Sequence, residues 1–108
     1  MIENHVPQLE TCRRLKELGW EKKTLFTHWN NTIIFNGCFD LDADIAPAPI
    51  LSEILEELPN KTEWGYIIIG KTYDNFVMGY DAIKGIAHKN PAEAAAQLWE
   101  ALKAEGIQ

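Results

Sequence analysis

Two apolar runs, Trp64 to Ile69 and Phe76 to Tyr80, are joined through Tyr73-Asp74-Asn75. The link is too short for a parallel crossover, which takes about a dozen residues or more. The runs must therefore pair antiparallel, as a hairpin. The same reasoning applies to Thr24–Trp29 and Thr32–Phe35, which are rich in β-branched and aromatic residues. They flank Asn30-Asn31, two residues that tolerate the positive φ of a tight turn. From Ile33 to Ile45 the odd positions are apolar or small, while Asn36, Cys38, Asp40, Asp42 and Asp44 take the other face. The second strand either continues through this stretch or breaks at Asn36-Gly37.

Three amphipathic segments are available to cover such a sheet. Leu9, Cys12, Leu15 and Leu18 recur at helical spacing, and Gly19 then Trp20 follow as a C′ glycine with its apolar C″ contact. Pro49 suits the first turn of a helix carrying Ile50, Leu51, Ile54, Leu55 and Leu58, which Pro59 stops. Asn90-Pro91-Ala92-Glu93 reads as an N-cap, a proline at N1 and a glutamate at N3, opening a helix with Ala95, Leu98, Trp99 and Leu102 inward and Gly106 at its end. The order is α-β-β-α-β-β-α. It predicts an α+β domain: one four-stranded antiparallel sheet made from two hairpins, with the helices packed on one face. A hairpin followed by a helix occurs twice, but the halves share no matching residues. The 108 residues make a single domain over 1–108. A chain of that size buries about two thirds of its surface, enough for one core without a disulfide.

The net charge of −6 is unevenly spread. Residues 40 to 63 hold Asp40, Asp42, Asp44, Glu53, Glu56, Glu57 and Glu63 against Lys61 alone, which equals the whole imbalance. That distribution disfavours binding to a phosphate backbone, so nucleic acid is not expected as a ligand. No apolar run approaches the length of a membrane span, and the start MIENHVPQLE has neither a basic nor an apolar signal region. A cytoplasmic location is expected. Cys12 and Cys38 stand in no C-x-x-C arrangement and read as two reduced thiols. The sequons at Asn30 and Asn60 are then chance matches.

Several motifs fail on their chemistry. Gly65-Tyr66-Ile67-Ile68-Ile69-Gly70-Lys71-Thr72 satisfies G-x-x-x-x-G-K-[ST] letter for letter. Its interior is a strand former, however, and a turn follows where a phosphate-binding loop needs a helix. Asp40-Leu41-Asp42-Ala43-Asp44 opens like a calcium loop, but Ile45 stands where the loop needs Gly and Leu51 where it needs Glu. His5, His28, His88, Cys12 and Cys38 lack the spacing of a structural zinc site. Ser52, the only serine, sits beside Glu53 on a helix, and Cys38 with His28 is the one conceivable nucleophile and base. No catalytic residue, metal site or cofactor is assigned.

Two surfaces remain. Asp40, Asp42, Asp44, Glu53, Glu56 and Glu57 form a candidate acidic interaction surface, and Trp64, Tyr66, Phe76 and Tyr80 a candidate apolar sheet face. Both faces of the strand at 64 to 69 are apolar, which predicts helices on one side and a partner on the other, or a central strand of a covered sheet. The segments LKELGW (15 to 20), IAPAPILSEILEELP (45 to 59), the aromatic hairpin at 66 to 80 and NPAEAAAQLWEALK (90 to 103) resemble those of a group of small uncharacterised phage and prophage proteins. That group shares a helix ending in L-K-E-x-G-aromatic, an A-P before a leucine-rich helix ending in L-P, and a closing P-A-x-A-x-A-x-L-aromatic helix. The likeness touches most of the chain and rests on structural signals. It departs at Ile50, where the group usually has a capping Ser or Thr. It implies a phage or prophage origin and no known reaction. The expectation is a non-catalytic binding module, with a protein partner or self-association. The alternative is a small metal-dependent enzyme using Asp40, Asp42 and Asp44.

Overall fold

A computed structural model describes residues 5–20, 24–29, 32–35, 45–81 and 85–106. In chain order the elements are α1 (Leu9–Glu17), β1 (Phe26–Trp29), β2 (Thr32–Phe35), β3 (Ile45–Ala48), α2 (Leu51–Glu57), β4 (Lys61–Thr62), β5 (Gly65–Lys71), β6 (Phe76–Tyr80), β7 (Ile86–His88) and α3 (Pro91–Ala104). The class is α+β. Both hairpins form as expected, with Thr27 opposite Ile34 in one and Ile69 opposite Met78 in the other.

The hairpins do not join into one sheet. They belong to a three-stranded sheet, β2-β1-β3, and a four-stranded sheet, β4-β5-β6-β7, both antiparallel. The reason lies in three short strands that local sequence hardly marks. β3 occupies the open edge of β1, β7 that of β6, and β4 the start of β5. β3 contains Pro47, opposite Thr27, a residue admitted because β3 is itself an edge strand.

Helix α1 ends as its sequence indicates. Gly19 adopts φ +97°, and the Trp20 N–H donates to the Leu15 carbonyl at 2.9 Å, the long bond of a Schellman cap. This turn delivers Trp20 into the core, edge-on to Trp99 with ring centroids 5.2 Å apart. The core is centred on α3, which packs against α1, α2, β6 and β7. Its Ala92, Ala94, Ala95 and Ala96 are all fully buried, and such small side chains let the neighbouring backbones approach closely. Leu98, Trp99 and Leu102 extend the same face and meet Leu15, Ile54, Leu58, Met78 and Tyr80. A smaller cluster of Val6, Cys12, Ala46 and Ala48 lies between α1 and β3, with Phe26, Ile33 and Ile50 at its border. Helix α1 thus faces both apolar clusters.

Candidate interaction face

Strand register decides which side chains share a surface, because residues directly opposite one another project to the same side. Tyr80 faces Ile67, Met78 faces Ile69 and Ile86, and Phe76 faces Lys71 and His88. This is the side covered by α3, where Met78 and Tyr80 are buried. The Tyr80 hydroxyl donates to the Pro59 carbonyl at 2.7 Å, and burial raises its pKa.

The other side of the sheet carries Tyr66, Ile68, Val77 and Ala87, with Lys61 on β4. Tyr66 is 61% exposed and Ile68 51%. The Lys61 ammonium stands 5.2 Å from the Tyr66 ring centroid, a cation–π contact at the rim of this face. Large apolar side chains on a sheet surface that no element among the described residues covers mark a place where a partner would gain by docking.

The four residues taken from the sequence as one apolar face are therefore split. Tyr66 is on the open side, while Phe76 and Tyr80 are on the helix side. Trp64 lies in the β4–β5 turn, half-buried against the main core. Strict alternation from residue 64 fails because the strand starts only at Gly65, whose φ of +105° swings the chain out of the extended region. Ile68 shares the face of Tyr66, as alternation along the strand indicates, and Val77 joins them through the register of β6, which depends on the partner strand.

Of the acidic set, Asp40, Asp42 and Asp44 lie outside the described residues. Glu56 and Glu57 are exposed on α2. Glu53 is half-buried and accepts from the Ile50 N–H at 2.9 Å and the Leu25 N–H at 3.0 Å. It ties the start of α2 to the segment entering β1.

A second polar cluster, not singled out from sequence, joins α1 to α3. Glu93 is 1% exposed, and its carboxyl group accepts from the Gln8 N–H (2.7 Å), the Thr11 hydroxyl (2.6 Å) and the Gln97 amide (2.6 Å). Nearby, Arg14 Nε lies 3.1 Å from Glu100 Oε2. Glu100 Oε1 is buried with no hydrogen-bond partner among the described residues. Burial raises the Glu100 pKa, against the opposing pull of Arg14. Cys12 is a buried free thiol whose pKa is pushed far up by burial and by Glu93 and Glu100. A thiol held protonated in this way is inert as a nucleophile. Its Sγ and His28 Nε2 both contact the Pro7 carbonyl, each at 3.4 Å. Cys38, the one conceivable nucleophile beside His28, lies outside the described residues.

The G-x-x-x-x-G-K-T match is strand β5 and the turn after it, where the Thr72 N–H donates to the Asn75 carbonyl at 2.8 Å. Its backbone is extended and paired with β6, so its amides do not converge on a phosphate. Among the described residues, no group of three or more His, Cys, Asp or Glu is placed to hold a metal ion. No helix among them is long and apolar enough to cross a membrane. Compared with protein-family models, curated proteins and solved structures, the chain shows no match.

Proposed function

We propose that this chain is a non-catalytic protein-binding module that meets a partner protein through the open face of the β4-β5-β6-β7 sheet. The observation that carries the reading is the exposure of Tyr66 and Ile68 on the side of the sheet opposite α3. A tyrosine with a lysine ammonium over its ring and a β-branched neighbour offers apolar area with a polar tip, the chemistry enriched at protein interfaces. In this reading the module acts in the cytoplasm and is of phage or prophage type, with Glu56 and Glu57 on the separate surface of α2.

The test is site-specific photocrosslinking in cells that produce the full chain. A benzophenone side chain at position 66 or 68 should give discrete adducts to a protein other than this chain. The same group at position 103, on an exposed part of α3, should not. Absence of adducts at 66 and 68, or an identical adduct pattern at 103, would remove the reading.

A further inference from the structure

Strand β5 has an open edge. The Ile67 N–H points away from β6 and donates to the Asn60 carbonyl at 2.9 Å, whereas the Thr72 N–H points toward β6. Backbone groups alternate along a strand, so the amides and carbonyls of Ile69 and Lys71 point the same way as Ile67, outward. Pairing with β4 stops at Lys61 opposite Tyr66. Among the described residues no strand runs beside Ile68–Lys71, and Ile68, Ile69, Gly70 and Lys71 are all exposed.

Edges of this kind are normally blunted by a proline, a bulge or an outstanding charge. Here Ile67, Ile68, Ile69 and Gly70 are uncharged, and β5 pairs with β6 without a bulge. The Lys71 ammonium is drawn back over the Phe76 ring, 5.4 Å from its centroid. An edge with unpaired amides selects an extended strand as its occupant, because only a strand supplies donors and acceptors at the matching repeat.

We propose that the occupant is the β5 edge of a second copy of this chain, paired antiparallel about a two-fold axis at Gly70. The inference rests on the unpaired backbone and is independent of the open face. An antiparallel strand pair is self-complementary under a two-fold operation. Centred on Gly70, Ile69 pairs with the partner's Lys71 and Lys71 with the partner's Ile69, which forms four main-chain hydrogen bonds. In this register Gly70 faces its own copy at a non-hydrogen-bonded position, where the two Cα atoms come closest, and it has no side chain to crowd that approach. Centring on Ile69 instead would bring the partner's Lys71, still within its strand, onto Asn60, which already holds the Ile67 amide, whereas in the Gly70 register that place falls to the partner's Tyr73, which has left the strand for the exposed turn. The Gly70 register also fits by charge: it carries the partner's Asp74, in the exposed turn after β5, toward Lys61 at the end of β4, and does so twice by symmetry. The contact is small, so the dimer is reversible and concentration-dependent.

Sedimentation velocity on the full chain, from micromolar to millimolar, tests this. The parent should pass from monomer to dimer. Ile69→Pro removes an outward amide and leaves the bonds to β6 in place, and it should weaken the dimer at least about tenfold. Ile69→Lys, which keeps the amide and places a charge on the edge, should do the same, with circular dichroism confirming that both variants fold. Asp74→Lys and Lys61→Asp should each weaken association, and combining them should restore it. A chain monomeric throughout the range overturns the proposal, as does a dimer indifferent to both Ile69 variants. Neither edge variant alters Tyr66 or Ile68, so the crosslinking result at those positions stands or falls separately.

Discussion

Glu53 and Glu93 each stand three residues after an N-cap, and the same spacing sends them to different tasks. At α3 the Asn90 side chain already accepts from the Ala92 and Glu93 amides, and the Asn90 N–H is donated to His88 Nδ1 at 2.9 Å. Nothing at the helix start then needs Glu93, which turns to α1. At α2 the cap is Ile50, which has no side-chain acceptor, and Glu53 bonds its amide. Sequence marks Glu93 as a capping glutamate and Glu53 as part of an acidic surface, and it could not show this division, because it depends on whether a neighbour has already satisfied the cap. Glu93→Ala should cost about 2 kcal/mol in urea unfolding, since it strands the buried Thr11 hydroxyl and removes the acceptor of the part-buried Gln8 and Gln97 donors. Glu100 gives a pH signature. Its folded pKa lies above the ordinary 4.5, so the folded state holds the proton more tightly than the unfolded chain does. Its stability contribution is therefore complete below 4.5 and fades as pH rises through the raised value. Glu100→Gln should flatten that part of the profile of melting temperature against pH relative to the parent. An unchanged difference between the two proteins across the window would show that the shift is absent.

At the scale of elements, the hairpins and helices were legible because their signals are local. Short loops forced antiparallel pairing, and Gly19-Trp20 and Asn90-Pro91 punctuated their helices. The strands β3, β4 and β7 were not legible. They have four, two and three residues, and they exist because a longer strand beside them offers unpaired backbone. The candidate face divides at the same level: Tyr66 is on the open side, Trp64 leaves it because β5 begins at Gly65, and Phe76 and Tyr80 fall on the other side through the register of β6 with β5. That glycine is held by its surroundings as well as its φ. A Cβ there would stand 2.7 Å from Asp81 Cβ, whereas one at Gly19, also at positive φ, would meet nothing within 4 Å. Gly19→Ala should therefore cost about 1 kcal/mol, the backbone strain alone. Gly65→Ala should cost at least about 2 kcal/mol, because the start of β5 must also shift. Equal losses in chemical denaturation would show that Asp81 yields freely.

For the whole molecule, composition and element order were enough for an α+β class, and what escaped them was the partition into two sheets. That partition follows from long-range pairings which no window of sequence contains. The same arrangement has a consequence for how the molecule is made. Glu93 binds Gln8 and Thr11 across more than eighty positions of chain, Asn90 Nδ2 donates to the Val6 carbonyl at 2.7 Å, and the main core assembles on α3. On a ribosome, residues 5–20 therefore emerge long before the surface they rest on. Leu15, Trp20, Met78 and Tyr80 lack the α3 side of their core until that helix has left the exit tunnel. The hairpin edges stay open to other chains during that interval. The main core is therefore completed only when α3 is available, so the speed of translation before that point should matter less to the molecule's yield than the chaperones that shield its open apolar surface.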